Sequence, residues 1–124
     1  MPGTMRARAS LGVIGQHGPN GTFDVDYSQS VATWTGVRHL TLGVGAVNQS
    51  LIEFGVGGLT TLQGVMIVAD QDIGVTLGFT GSNVAITLKA GAPLLLAGIL
   101  LTALAISNQS AGPAAQVEYA MCGV

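Results

Sequence analysis

The sequence predicts an all-β protein, folded as an antiparallel β-sandwich or a jelly-roll-like variant with short strands and glycine-rich turns. Its 19 glycines are spread among Val, Leu, Ile and Thr rather than gathered in one tract, which indicates many tight turns. Apolar side chains also recur at every second position, most regularly in residues 73–80, which indicates half-buried strands. Because 124 residues suffice for one core, we predict a single sandwich domain over residues 13–124.

Residues 1–12 are predicted to form an N-terminal arm or an edge strand. Arg6 and Arg8 alternate here with Met5, Ala7 and Ala9. The pattern suits a strand, but it offers too little apolar surface to fold alone. We therefore expect the arm to rest on a neighbouring subunit or on its own domain.

A cluster of Gly, Pro and Asn at residues 15–21 predicts a turn, and an alternating strand follows at residues 22–27. One face of that strand is apolar and the other is acidic, with Phe23, Val25 and Tyr27 opposite Asp24 and Asp26. Further strands are predicted at residues 30–35, 37–44 and 51–56. Gly36 and the turn at residues 48–50 separate them.

The middle of the chain contains the strongest strand patterns. Residues 64–69, GVMIVA, are almost continuously apolar, which predicts a central strand. A turn at residues 70–72 leads into the alternating strand at residues 73–80. The next strand, residues 84–88, is predicted to turn Val84, Ile86 and Leu88 inward.

The longest apolar run lies in residues 93–121 and allows two interpretations. A membrane-spanning helix needs about 20 apolar residues, and this run is shorter and is interrupted by Pro93, Gly98 and Thr102. We therefore predict strands that form the central hairpin of the domain, with Gly98 as a bend or bulge. The large side chains are expected on one face and the small ones on the other: Leu94, Leu96, Leu100, Leu104 and Ile106 opposite Ala97, Ala103 and Ala105.

Charge is scarce throughout the chain. Only 8% of the residues are charged, whereas a soluble domain ordinarily carries about 25%. Part of the surface is therefore expected to be covered by other subunits, the alternative being a neutral monomer with a Thr, Ser and Asn surface. Four Lys and Arg residues do not build the clustered basic face that nucleic acid requires, so no direct nucleic-acid binding is expected.

The single cysteine and the N-terminal residues bear on the cellular compartment. Cys122 has no partner for an internal disulfide or a Cys-based metal site, and we expect it to be buried as a small apolar side chain. The first 15 residues contain neither the apolar region nor the cleavage pattern of a signal peptide. Synthesis and folding in the cytoplasm are therefore expected.

No constellation of reactive side chains appears in the sequence. His17 and His39 have no spacing that connects them to a nucleophile or a ligand set. Two acidic pairs, Asp24 with Asp26 and Asp70 with Asp72, leave Ca²⁺ binding or acid–base chemistry as weaker alternatives to solvated faces and turns. We expect a non-enzymatic protein without a catalytic site, metal or cofactor.

Two aromatic residues allow a further alternative. Trp34 and Tyr27 would suit a platform on which a sugar ring stacks, as in a carbohydrate-binding module. Only 5% of the residues are aromatic, so the preferred interpretation makes both side chains core or interface anchors.

The last third of the chain resembles small virion structural proteins of tailed bacteriophages. The resemblance lies in NVAITLKAGAPLLL at residues 83–96, LAISNQS at residues 104–110 and AAQVEY at residues 114–119. In that family such strands close a β-sandwich. The resemblance implies a capsid decoration, or cement, protein that binds and stabilises the phage head, and therefore a location in the virion after synthesis in the host cytoplasm.

The resemblance also implies partners and an interface. We expect a homotrimer whose small-residue faces meet around a threefold axis, bound to the major capsid protein or another virion protein, without membrane or nucleic acid. Arg6 and Arg8 would pair with acidic capsid groups, and Tyr27, Trp34 and Phe54 would be the anchors. A tail or head–tail junction component is the alternative within this class, and a carbohydrate-binding module is the alternative outside it.

Overall fold

The computed structural model describes residues 3–13, 21–46, 49–50, 61–108 and 113–124, and these residues contain strands and no helix. The strands are β1 (Gly3–Val13), β2 (Gly21–Val31), β3 (Thr33–Trp34), β4 (Arg38–Leu42), β5 (Gln49–Ser50), β6 (Leu62–Ala69), β7 (Ile73–Phe79), β8 (Ser82–Leu88), β9 (Leu94–Leu101), β10 (Ala103–Asn108) and β11 (Ala115–Gly123). All pairings between them are antiparallel. The predicted all-β class is confirmed.

Two sheets pack face to face as a sandwich. The first sheet has the order β3-β11-β6-β9, and β4 pairs with β11 beyond the end of β3. The second sheet has the order β5-β10-β7-β8. As predicted from its continuous apolar sequence, β6 is a central strand, because it pairs with β11 on one side and β9 on the other.

The core lies between the sheets and is built from alternate residues of their strands. In β6 the buried side chains Val65, Ile67 and Ala69 face the core, while Met66 between them is exposed. The fully buried large side chains come from both sheets: Leu42, Leu62, Ile67, Ile73, Leu101, Leu104, Ile106, Met121, Val75 and Val117. Each stabilises the fold by about 1.5–3 kcal/mol relative to an exposed position.

The predicted central hairpin in residues 93–121 is wrong. β9 lies in the first sheet, β10 in the second and β11 again in the first. The chain crosses between the sheets at Thr102, whose N–H donates to the Gly78 carbonyl oxygen at 2.8 Å. Each of the three strands has an apolar face, and placing consecutive strands on opposite sides of the core buries every such face.

The crossing also separates the alanines that were expected to form one small-residue face. Ala97 belongs to the first sheet, whereas Ala103 and Ala105 belong to β10, which is hydrogen-bonded on both sides within the second sheet. Ala103 lies directly opposite Gly78. These alanines therefore form no common surface on which three copies could meet.

The bulge predicted at Gly98 is confirmed. Gly98 has a φ of 71°, a conformation that glycine adopts without steric cost, and the register between β6 and β9 shifts across this segment. The shift changes which leucine faces the core. Leu101 is buried and Leu100 is exposed, so the prediction that Leu100 faces inward is wrong.

The edge strand β8 follows its predicted alternation, but burial falls along its length. Leu88 is buried, Ile86 is half-buried and Val84 is exposed. These residues pair with core residues of β7, yet β8 has one sheet neighbour among the described strands. Inward orientation therefore does not bury Val84.

The hairpin formed by β1 and β2 stands apart from both sheets. Its eleven register pairs run from Gly3 opposite Val31 to Val13 opposite Gly21, and among the described strands neither member pairs elsewhere. The Ala32 N–H then donates to the Gly123 carbonyl oxygen at 3.1 Å, where the chain enters the first sheet. β1 thus spans most of the predicted arm, and its pairing partner is β2.

Candidate interaction surface

The register of the hairpin sorts its side chains onto two contrasting faces. Because side chains alternate along a strand and paired residues share a face, the polar residues of β1 lie beside those of β2. The polar face contains Thr4, Arg6, Arg8, Ser10, Asp24, Asp26, Ser28 and Ser30, and the apolar face contains Met5, Ala7, Ala9, Leu11, Phe23, Val25, Tyr27 and Val31. The hairpin is therefore amphipathic, and Gln29 is the polar exception on the apolar side.

Asp26 links the two arginines of the polar face. Arg6 donates from Nη2 to Asp26 Oδ2 at 2.8 Å and from Nε to Oδ1 at 3.2 Å, and Arg8 donates from Nε to Oδ2 at 3.3 Å. The hydrogen bond from Arg6 lowers the pKa of Asp26 below its ordinary value and raises that of Arg6. All three side chains remain exposed, so this cluster ties β1 to β2 on a solvent-facing surface.

The apolar face packs against the first sheet only near the base of the hairpin, where Val31 is buried. A Cβ atom added at Gly64 would collide with the Met5 sulfur and would lie 2.9 Å from Cys122 Sγ. A Cβ atom at Gly98 would lie 3.0 Å from the Tyr27 ring. The two glycines therefore let the hairpin approach the face of the first sheet that is turned away from the core, which we call the outer face.

The far end of the same apolar face is exposed. We define the tip of the hairpin as Ala9, Leu11, Phe23 and Val25, which form two adjacent register pairs. Leu11 exposes 73% of its surface and Phe23 exposes 70%. Single exposed apolar residues are common, but a contiguous apolar patch of this kind marks an interaction site.

A second apolar surface lies beside β1, where a groove of about 220 Å³ separates the hairpin from the outer face. Trp34, Val37 and Met66 line the groove and are exposed, and Arg6 is the charged side chain among its lining residues. Cys122 closes its floor; as predicted it is buried, and burial raises the pKa of its thiol.

The acidic pairs that allowed a metal or acid–base interpretation are used by the backbone. Asp70 Oδ1 accepts from the Gln116 N–H at 2.7 Å. Asp72 accepts from the Ala90 N–H at 2.9 Å and from Lys89 Nζ at 3.2 Å, and these contacts lower its pKa. In the described part of the chain, no three His, Cys, Asp or Glu side chains are grouped to hold a metal ion.

The predicted interface residues fall on three parts of the chain. Arg6, Arg8 and Tyr27 lie on the hairpin, Trp34 lies on β3 beside the groove, and Phe54 lies outside the described residues, as does His17. Arg6 and Arg8 have their acidic partner within the same chain. Tyr27 packs over Gly98, and its hydroxyl donates to Gln29 Oε1 at 2.9 Å.

Several surface residues were missed by the sequence analysis, chiefly Leu11, Phe23, Val37 and Met66. A signal for Phe23 was present, since it alternates with Asp24 and Asp26 in the sequence. The apolar face was then assigned to the core, because alternation does not reveal how far a strand extends beyond the sandwich.

No protein-family model, curated protein sequence or solved structure matches this chain. In the described residues, no helix is long and apolar enough to cross a membrane.

Proposed function

We propose that this chain is a non-enzymatic structural protein of a tailed phage virion, a capsid decoration protein that binds the assembled head and stabilises it. The observation that carries the proposal is the exposed apolar tip of the hairpin, where Leu11 and Phe23 extend a face that is buried at its base. A protein that presents such a surface on a stable sandwich is suited to making contacts with other subunits.

The low charge of the chain supports the same proposal. With 8% charged residues and the exposed cluster of Arg6, Arg8 and Asp26 paired internally, little fixed charge is left to steer a charged substrate. Apolar contacts then dominate what the surface can bind. The resemblance of residues 83–119 to virion structural proteins of tailed phages specifies the kind of assembly.

Stabilisation of the head would follow from mass action. A protein that binds the assembled shell and not its separated subunits lowers the free energy of the shell by its own binding free energy. Many weak contacts, repeated over the lattice, then add up to a shell that resists rupture. Trp34 and Tyr27 remain proposed anchors, and Arg6 and Arg8 would contact the lattice as exposed donors already paired with Asp26.

Composition analysis of purified particles tests this function. In particles of the phage whose genome encodes the chain, quantitative mass spectrometry should find it in a fixed whole-number ratio to the major capsid protein. Particles assembled without it should rupture at a lower temperature, and adding the purified protein back should restore the original temperature. Its absence from purified particles would overturn the proposal.

Copy number separates the decoration protein from the alternative within its class. A tail or head–tail junction component would be present in a few copies per particle, and head rupture would not depend on it. The carbohydrate-binding alternative rests on exposed Trp34. The groove beside it is mainly apolar, whereas a sugar site also needs several polar groups to orient hydroxyls. Glycan-array binding that is lost on Trp34→Ala would favour that alternative.

A further inference from the structure

Two exposed apolar surfaces on one chain raise the question of what covers them. The tip (Ala9, Leu11, Phe23 and Val25) is a flat, two-stranded apolar face. The groove, lined by Trp34, Val37 and Met66, has one wall made of β1 and one made of the outer face of the first sheet. At its base, the hairpin already packs the same apolar face onto this same outer face, through Met5 above Gly64.

The tip of one chain does not reach the groove of that chain. The groove lies beside Met5, Arg6 and Ala7, and the six residues from Met5 to Leu11 span about 20 Å in an extended strand. β1 and β2 remain paired over all eleven register positions. Folding the tip back would break these pairs, so any contact between tip and groove has to form between two molecules.

The exposed area is close to what a specific contact requires. Leu11, Phe23 and Val25 at the tip, with Trp34, Val37 and Met66 at the groove, expose between 45% and 73% of their surfaces. Since a large apolar side chain has about 150–250 Å² to bury, these six residues expose roughly 650 Å², near the ~800 Å² that each partner buries in a standard interface. Only a partner that carries both surfaces would cover both at once.

We propose that the chain assembles head to tail with copies of itself, the tip of each hairpin lying in the groove of the next copy. Such a contact is heterologous, because different surfaces of the two copies meet, and it closes into a ring when the rotation between copies permits. The polar face with Arg6, Arg8 and Asp26 would then point away from the contact. This inference deepens the proposed function, on which it rests only for the claim that the ring is the unit that binds the head.

Light scattering coupled to size-exclusion chromatography tests the assembly with the full chain. The wild-type protein should elute with a mass that is a multiple of the 12.5 kDa monomer. The tip variant Leu11→Ser/Phe23→Ser and the groove variant Val37→Asp/Met66→Asp should both elute as 12.5 kDa monomers. Leu100→Ser and Val84→Ser, which change exposed apolar residues elsewhere, are the matched controls and should keep the wild-type mass.

Mixing the two variants distinguishes a tip-in-groove contact from any symmetric one. The tip variant retains an intact groove, and the groove variant retains an intact tip. An equimolar mixture should therefore form a 1:1 pair of two monomer masses, which neither variant forms alone. A contact made by the same surface on both copies would not be rescued in this way, because every pair in the mixture would still include a damaged copy.

The outcomes also separate this inference from the proposed function. Circular dichroism melting shows whether each variant keeps its fold, which is expected because all four substituted positions are exposed. A monomeric wild-type protein, a folded tip variant that stays assembled, or a mixture that fails to pair would overturn the head-to-tail contact. Each of these results leaves the virion composition experiment unaffected, and a chain absent from virions would leave the solution mass unaffected.

Discussion

The hairpin and the sandwich use the same amphipathic strand pattern with opposite results. In the sandwich, alternate apolar residues of β6 and β11 face a second sheet and are buried. In the hairpin, the same alternation leaves Leu11 and Phe23 exposed, because the face is covered only near Met5 and Val31. Alternation therefore specifies that a face needs a partner, but not whether that partner belongs to the same chain.

The difference has an energetic consequence. An isolated two-stranded hairpin is marginally stable in water, so β1 and β2 depend on their base contacts and on the cluster around Asp26. The sandwich is stabilised by a continuous core. Substitutions in the sandwich should therefore change the free energy of unfolding, whereas substitutions at the tip should change self-association.

The largest effect is expected for a leucine at the centre of the core. Leu101→Ala should lower the free energy of unfolding by about 2–5 kcal/mol, because it leaves a cavity between the sheets. Leu11→Ala at the tip and Leu100→Ala beside the core leucine, exposed by 63%, should each change it by less than about 0.5 kcal/mol. Urea denaturation of monomeric protein measures all three, and equal losses at Leu101 and Leu11 would contradict the proposed division of roles.

A smaller loss is expected at the buried side chain of Asn108. Its Nδ2 donates to the carbonyl oxygens of Leu42 and Gly43 at 3.2 Å and of Pro113 at 3.3 Å. Asn108→Ala should cost about 1–3 kcal/mol, because these carbonyls lose their donor in a buried place. Exposed Asn83 on β8 provides the control, and Asn83→Ala should leave the urea midpoint nearly unchanged. A midpoint retained by Asn108→Ala would show that the carbonyls find water instead.

The crossing between the sheets should tolerate added volume poorly. A Cβ atom at Gly78 would lie 2.7 Å from the Ala103 Cβ atom and 3.3 Å from its backbone. Gly78→Ala is therefore expected to cost about 1–3 kcal/mol through overpacking. Gly43→Ala meets no heavy atom within 4 Å and should be nearly neutral. Thermal melting compares the two variants, and equal melting temperatures would contradict the close packing of β7 on β10.

The sequence predicts the sandwich well because burial and alternation are local signals. The strands around Ile67 and Val75, the bulge at Gly98 and the buried Cys122 all follow from residue type and spacing. The assignment of β9, β10 and β11 to sheets does not, because Leu101 and Leu104 bury equally well whether the chain turns back or crosses the core.

The interaction surface was predicted only in part, for a related reason. Trp34 and Tyr27 stand out as aromatic residues in a chain with few of them. The groove does not, since Val37 and Met66 come together only through the pairing of β11 with β6 and the chain entry at β3. The pairing of Arg6 and Arg8 with Asp26 depends on the register of β1 and β2, which alternation alone does not fix.

The smallest effect is expected at Asp26 and should be confined to the hairpin. Asp26→Asn leaves Arg6 and Arg8 side by side without their counter-charge, so the amides of β1 and β2 should exchange faster with solvent while those of β6 and β11 keep their rates. Asp24→Asn changes the charge of the same face without removing the contact with Arg6, and it should have less effect. Hydrogen exchange followed by mass spectrometry resolves the two regions.

Acid should reproduce the Asp26→Asn effect in the wild-type protein. Because the hydrogen bond from Arg6 lowers the pKa of Asp26 from its ordinary value of 3.8, the contact stabilises the hairpin fully above that value and is lost as the pH falls through the lowered pKa. The acid-induced rise in β1 and β2 exchange, corrected for the intrinsic pH dependence, should be smaller in Asp26→Asn and in high salt, since exposed pairs are screened. An acid response of equal size in the variant would mean that another group, and not the Asp26 cluster, holds the two strands together.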